Sequence, residues 1–541
     1  MGKLFGTDGV RGIANETLTC DLAYRVGQAT AICLRRAKGS APTVVLGKDT
    51  RISSDMLEGA LVAGLCASGA NAVHLGVLPT PAVAYLTVFY HADAGVMISA
   101  SHNPYEYNGI KIFSSQGFKL SDDLEEEIEA LVLSDEPLAV EKGEALGRLL
   151  EGLPASEYYI RHLASTVSEL SDLHVLIDCA NGAASTTAQR LFNRYNISAA
   201  IINDRPDGVN INRDCGSTHL EQLSQRVKNG YYDLGIAFDG DADRCLVVDE
   251  NGNPVDGDQI MAICARHMRR ENRLKGNGFV ATVMSNLGLH KYCEDHDLRL
   301  LCADVGDRNV LDLMRREGMV LGGEQSGHVI FLDDMPTGDG QLTALHFLKI
   351  VCETRQPVSR LAAEVTQYPQ VLINVPAPHD LQARKALLHD AALLEAKCFE
   401  TVTVMVQKEV AQRICAAPGT ADYGAFTVFC QYHAQPEILF DVPPSCFIPQ
   451  PKVTSAVLHL TVRSQPPAMV ADEAFFFRVV RASFAQRRKT LVNGLGALGI
   501  PKPRLLEAVR ACGFAENVRG ETLSIPDFAK LSSALREAAE D

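Results

Sequence analysis

Four short segments of this chain carry residues whose types and spacing suit group transfer. In ISASHNP (98–104) a serine and a histidine follow the apolar run AGVMI (94–98), so a strand end can present the Ser101 hydroxyl to a cleft. In FDGDADR (238–244), Asp239, Asp241 and Asp243 alternate, a spacing that aims several carboxylate oxygens at one point. Hard oxygen ligands that share a phosphate favour Mg²⁺. The competing readings are an Asp-rich turn and a calcium loop, but the twelve-residue EF-hand layout with its closing Glu is missing. GTDGVRG (6–12) and GGEQSGH (322–328) mix glycine with charge. There Arg11 can neutralise phosphate, Glu324 and Ser326 can bind sugar hydroxyls, and His328 can assist proton transfer. Taken singly, each of these loops reads as an ordinary turn.

The elements that must position these loops follow one rhythm: a β-branched run, a Gly/Asp/Ser loop, then a helical pattern. TVVLGKD (43–49), LHVLIDCANGAAS (173–185) and GFVATVMSNLG (278–288) each repeat the strand-to-loop step. This predicts α/β architecture with three related domains near 1–150, 151–250 and 251–370, all feeding one cleft. The acidic stretch at 121–137 reads as a solvated helix. A fourth unit begins at QVLINVPAPHD (370–380), and the pattern changes near 395–400. Beyond it come a β-rich strand and helix, a Pro-rich segment (441–453) and a mainly helical tail.

Composition agrees with a folded, soluble chain of several domains: 541 residues, 46% hydrophobic and 22% charged. The start has no signal-peptide layout and no apolar run reaches membrane-spanning length, so the cytoplasm is the expected location. The fifteen cysteines are scattered singly, without the CxxC pairing of zinc or redox sites. The net charge of −15 divides into −17 for residues 1–400 and +2 for residues 401–541. An acidic front part argues against nucleic-acid binding there, whereas the back part is neutral enough for RNA contact.

Taken together and in order, FGTDGVRG, ISASHNPYEYNGIK, DGDADR and GGEQSGH resemble the α-D-phosphohexomutase family over roughly residues 1–395, specifically its phosphoglucosamine mutase branch. The resemblance implies that Ser101 is phosphorylated in the active form, with Mg²⁺ between its phosphate and Asp239, Asp241 and Asp243. It implies that Lys111 acts with Arg11 and His328 around the proton transfers. His102, Arg244, Glu324 and Ser326 become substrate contacts. The implied reaction interconverts glucosamine 6-phosphate and glucosamine 1-phosphate through a bisphosphorylated hexosamine, which also serves as primer.

The family's fourth-domain phosphate loop, which reads like RPSGTEP, has no counterpart here, and APGT (417–420) is a superficial match. The fourth domain is therefore read as truncated, over 371–398. Residues 399–541 resemble instead the last portion of a ribosomal RNA small-subunit adenine dimethyltransferase, through TVMVQKEVAQRI, DYGAFTVFCQY, FIPQPKVTSAVLHL, FAQRRKTL and RGETLS. That family's Gly-rich S-adenosylmethionine loop and NLPY segment are not in the sequence, so neither that cofactor nor methyl transfer is expected. Arg487, Arg488 and Lys489 form a small basic run able to meet RNA phosphate, with a solvated helix face as the plain alternative. FFFR (475–478) reads as core rather than a base-stacking surface. The competing functional reading is an inactive fusion that retains at most ribosomal RNA binding.

Overall fold

The computed structural model describes residues 4–6, 9–150, 152, 154–370, 401–443, 454–485 and 489–540. The chain divides into two compact units, Met1–Gln370 and Val371–Asp541. The expected start of a truncated fourth domain, the seam at 395–400 and most of the Pro-rich segment lie outside the described residues.

The described residues of the first unit form three sheets. The first has the order Val10–Ile13, Tyr107–Ser114, Ala94–Ile98, Thr43–Lys48, Asn71–Val77, Leu149–Leu150. Its inner strands Ala94–Ile98, Thr43–Lys48 and Asn71–Val77 are parallel, and all five residues of Ala94–Ile98 are buried, as expected for a sheet covered on both faces. The second sheet runs Pro254–Val255, Cys245–Asp249, Leu234–Phe238, Ser171–Asp178, Asn196–Ile202. The third runs Arg299–Ala303, Gly278–Thr282, Leu321–Gly323, Val329–Phe331.

One topological device recurs in all three sheets. A buried strand leaves the parallel part, makes a short loop and returns antiparallel: Ala94–Ile98 to Tyr107–Ser114, Leu234–Phe238 to Cys245–Asp249, and Leu321–Gly323 to Val329–Phe331. The three returning loops are ISASHNP, FDGDADR and GGEQSGH. Each of these three motifs thus occupies the same position in its sheet, and tight antiparallel pairing fixes both ends of each loop.

Helices close these layers. Cys20–Lys38 starts at Thr19, whose side chain accepts from the Leu22 N–H, and stops at Gly39, in the left-handed conformation (φ 75°) that frees its N–H for the Arg35 carbonyl. It packs closely on Ser54–Ala67, because a Cβ at Gly64 would stand 2.1 Å from the Tyr24 carbonyl oxygen and one at Gly27 would stand 2.5 Å from that of Leu61. The acidic stretch forms the helix Asp122–Leu133, whose Ile128 and Val132 are buried and whose Asp122 and Asp123 are exposed in its first turn.

Among the described residues, the second unit holds a three-stranded antiparallel sheet in the order Thr401–Gln407, Ser455–Val462, Ala434–Val442. Helices Lys408–Ile414 and Ala425–His433 pack on it through Ala411, Ile414 and Cys430 against Ala456, Leu458 and Leu460. The tail is helical: Glu473–Phe484, Leu491–Leu495, Lys502–Ala511 and Ile525–Glu540 enclose a core with Phe476, Val480, Leu505, Phe528 and Leu531. Phe476 and Phe477 are buried and Phe475 packs against the same core, so FFFR is a core segment. Tyr423, fully buried, donates its hydroxyl to the Leu523 carbonyl at 2.9 Å and ties the sheet's helices to the tail. Among the described residues no helix is long and apolar enough to cross a membrane, and the described cysteines are free thiols.

Candidate active site

The centre of the site is a contact between residues 138 positions apart: Ser101 Oγ donates to Asp239 Oδ2 at 2.6 Å, and both side chains are buried. Ser101 is held in the left-handed region (φ 51°), and so is Ala242 in the aspartate loop (φ 56°). Non-glycine residues adopt that conformation at a cost of about 1–3 kcal/mol and persist in it only where their surroundings dictate it.

Those surroundings are specific. Arg51, fully buried, pairs with Asp49 at 2.8 Å and donates to the carbonyls of Ser101 (2.9 Å), Asn103 (2.8 Å), Tyr107 (3.0 Å) and Pro104. Asp49 in turn accepts from Ser99 Oγ at 2.6 Å and Ser54 Oγ at 3.0 Å. From the second sheet's side, Asn212 donates to the carbonyls of Ser101 (2.9 Å) and Asn103 (3.1 Å). The serine loop is thereby gripped through its backbone, which leaves its hydroxyl to point at the carboxylates.

Asp239, Asp241 and Asp243 each bring a carboxylate oxygen within 4.8 Å of the other two. Asp241 Oδ2 accepts from Thr80 Oγ1 at 2.6 Å and Lys111 Nζ at 2.9 Å, and the Lys111 ammonium stands 3.5 Å from Asp243. Asp241 Oδ1 and Asp243 Oδ1 are buried and accept no hydrogen bond among the described residues. Buried carboxylate oxygens without a donor are expensive, and a hard cation at this point would satisfy both. The donor set therefore fits a metal ion. Burial, reinforced by the charges of Asp243 and Asp241, pushes the Asp239 carboxyl well up. Burial acts the same way on Asp243, but the charges of Lys111 and the nearby His328 outweigh it and hold that carboxyl well below the usual range.

The remaining residues converge on this cluster. Arg11 lies on the strand paired with Tyr107–Ser114, opposite Gly109 and two positions from Lys111's register. His328 Nδ1 stands 3.8 Å from Asp243, and although burial opposes its charge, that contact pushes the imidazole up to about 9. His102, beside Ser101, is driven down to about 4 by burial and by the nearby Arg244 and Arg11 charges. Arg244 donates its N–H to Asp239 at 3.2 Å, which closes the aspartate loop. The glycine-rich loop is pinned alongside, with the Cys245 N–H donating to the Gly327 carbonyl at 2.9 Å. Glu324 accepts from the Gly306 N–H at 3.0 Å and Ser326 Oγ approaches its other oxygen at 3.4 Å, so both sit in the loop that borders the cluster. Of the basic run in the second unit, Lys489 is exposed, and Arg487 and Arg488 lie outside the described residues.

Comparison with known proteins decides the family. Models of phosphoglucomutase/phosphomannomutase alpha/beta/alpha domains I, II and III match residues 2–138, 157–252 and 256–368. A phosphoglucosamine mutase of Acetivibrio thermocellus is 51% identical over 397 residues, covering 73% of this chain and 88% of that protein. One of Clostridium acetobutylicum is 52% identical over 382 residues, covering 70% and 85%. The chain belongs to the phosphoglucosamine mutase family. Solved structures agree on the fold of this mutase family member: a phosphoglucomutase/phosphomannomutase family protein from Burkholderia thailandensis aligns with a TM-score of 0.59 at 23% identity, covering 84% of this chain and 93% of that one. An Aspergillus fumigatus N-acetylphosphoglucosamine mutase, solved with GlcNAc-6P and magnesium, aligns with a TM-score of 0.50 at 16% identity, covering 85% and 92%. A model of ribosomal RNA adenine dimethylase matches residues 386–537.

Sequence reasoning missed Asp49, Arg51, Thr80 and Asn212, which hold the mutase loops without belonging to any of the four motifs. For Asp49 and Arg51 a signal existed: oppositely charged residues two apart, directly after the strand segment TVVLGK. Thr80 and Asn212 carry no such mark. Gly338 is a further case, since a Cβ there would lie 2.4–2.7 Å from three ring atoms of His328. Gly338→Ala should therefore displace the imidazole and lower kcat by about 10²-fold, the scale expected for a misplacement near 1 Å, with an unchanged circular-dichroism spectrum.

Proposed function

We propose that the first unit interconverts glucosamine 6-phosphate and glucosamine 1-phosphate with Ser101 as phosphoryl carrier. The observation that carries this reading is the 2.6 Å contact between Ser101 Oγ and Asp239 beside two further carboxylates with unused oxygens. In the first half-reaction the phosphoryl leaves Ser101 Oγ for the free sugar hydroxyl, whose proton passes to a base, and gives the bisphosphorylated sugar. After that sugar turns over, Oγ takes back the other phosphoryl and the proton returns to the new hydroxyl. Mg²⁺, held by Asp239, Asp241 and Asp243 with the phosphoserine, would neutralise charge on the transferring group.

We assign Lys111 and Arg11 to offset phosphate charge, and Lys111 and His328 to hold or move the protons. Glu324 and Ser326 are the proposed sugar-hydroxyl contacts, with His102 and Arg244 flanking the phosphoryl. Domain division at about 150 and 250 is part of the same reading, because each proposed domain then contributes one of the three returning loops. The sequence holds no RPSGTEP-like loop, so the distal phosphate is held by fewer contacts and KM is expected to be high. We place the activity in the cytoplasm, where both sugar phosphates would be met.

A coupled assay tests this, using the full chain, Mg²⁺ and glucosamine 1,6-bisphosphate as primer. Isomerisation above that of a Ser101→Ala control is expected, and equal rates for the two proteins would sink the proposal. For the second unit we infer contact with small-subunit ribosomal RNA through the exposed Lys489 and its basic neighbours in sequence, supported by the ribosomal RNA adenine dimethylase match. Binding should weaken log-linearly as salt rises, and affinity independent of salt would remove that assignment.

A further inference from the structure

His328 has two ring nitrogens in different situations. Its side chain is only 4% exposed, and Nε2 has no hydrogen-bond partner among the described residues. A buried polar atom left in that state calls for an explanation. The group facing it is Asp307, whose Oδ2 stands 4.0 Å from Nε2. Asp307 opens the helix Asp307–Glu317, and its other oxygen is engaged: Oδ1 accepts from Lys119 Nζ at 2.7 Å and from the Arg308 N–H at 2.8 Å.

Lys119 comes from the segment that follows the first sheet's strand Tyr107–Ser114, whereas Asp307 and His328 belong to the third sheet's surroundings. The three side chains line one cavity of about 460 Å³. Its walls are tied across by Arg308, which reaches Asp122 at 2.8 Å and Glu125 at 3.0 Å, and by Arg315, whose guanidinium lies 4.5 Å from the centre of the Phe118 ring. The cavity leaves room for the walls to approach.

We propose that Asp307 is a positioning residue for His328, with Lys119 fixing the carboxylate from the opposite wall of the cavity. An approach of about 1 Å brings Nε2 and Oδ2 to the ordinary hydrogen-bond distance near 2.9 Å. A carboxylate on one ring nitrogen sets the plane of an imidazole and hence the direction of the other nitrogen. Gly338 leaves the ring free to take that plane, since it offers no Cβ against it. The His328 ring is then oriented only when the walls around Lys119 and Asp307 have come together, so closure of this cavity and preparation of the proton-transfer group are one event. This inference rests on the mutase reading of the site for its consequence, and not for its geometry.

Two readouts test it on the full chain. With ring-¹⁵N-labelled histidine and the chain saturated with glucosamine 1,6-bisphosphate to close the cavity, a slowly exchanging, downfield Nε2–H resonance is expected, assigned by its loss in His328→Gln. It should vanish in Asp307→Asn, weaken in Lys119→Met and return in Asp307→Glu. A wild-type chain without that resonance, or one whose resonance survives Asp307→Asn, overturns the proposal whether or not the protein is a mutase. In the sugar assay, Asp307→Asn should lower kcat by about 10–100-fold with KM within about twofold, the scale of losing an orienting partner. Added to His328→Gln, it should cost less than a further twofold, and multiplicative losses would overturn the proposal. A wild-type chain without mutase activity would instead defeat the functional reading alone, with the resonance still deciding the role of Asp307.

Discussion

Asp239→Asn should lose about 10³-fold in kcat or more while melting at the same temperature as the parent or higher. Asp239 is the carboxylate that accepts from Ser101 Oγ, and with Asp241 and Asp243 it makes a cluster whose oxygens lie within 4.8 Å of one another. The amide keeps the shape and one acceptor oxygen but removes a negative charge from the point where a divalent cation would sit. Charge neutralisation by a bound metal contributes several kcal/mol to a phosphoryl-transfer transition state, and about 4 kcal/mol corresponds to about 10³ in rate. Stability should move the other way, because burial and the neighbouring charges of Asp243 and Asp241 already push this carboxyl up. Chelator treatment provides the internal control: it should remove most of the parent's activity and little of what remains in the variant. A variant with kcat within tenfold of the parent would show that the aspartate loop is not where the phosphoryl group reacts.

Arg51→Ala is expected to produce the largest loss of stability in the first unit, about 3–5 kcal/mol. Removing one member of a buried ion pair costs that much because its partner is left charged and unpaired. Here the partner is Asp49, at 2.8 Å and fully buried, and the same guanidinium also satisfies three carbonyls of the serine loop and that of Tyr107 at the start of the returning strand. Urea unfolding followed by a probe confined to residues 1–370 should show the shift, because the chain has two units and a whole-chain melt would mix their transitions. Arg51→Lys separates charge from geometry. It restores the ion pair but not the planar fork, so it should recover part of the stability and little of the activity. If Arg51→Lys matched the parent in both, the carbonyl contacts would be incidental and Ser101 would owe its conformation to something else.

The second prediction turns on a residue outside every motif, and the reason is physical. A motif records which side chains must lie close in sequence for a loop to do chemistry. The alternate aspartates of FDGDADR, the glycines around Glu324 and Ser326, and the Ser-His pair after AGVMI are such short-range facts. So are the alternation of strand and helix, the change of pattern near residue 399, and the helical core formed by Phe476 and Phe477. The sequence by itself therefore determined the α/β class, the four loops, their chemical types and the resemblance of each part of the chain to its family.

Partnership between loops is of another kind. Ser101 and Asp239 are 138 residues apart, Thr80 and Asp241 161, and Lys119 and Asp307 188. No local propensity encodes such pairs, because they arise when separately folded sheets pack, and packing responds to the whole surface of each. Only the tertiary structure decided that the serine hydroxyl meets the first aspartate, that a buried arginine and an asparagine hold the serine loop by its carbonyls, and that His328 has one nitrogen toward the aspartates and the other toward Asp307. Burial then decided the charges: the same three carboxyls are equivalent as letters, but desolvation and the placing of Lys111 drive Asp239 up and Asp243 down.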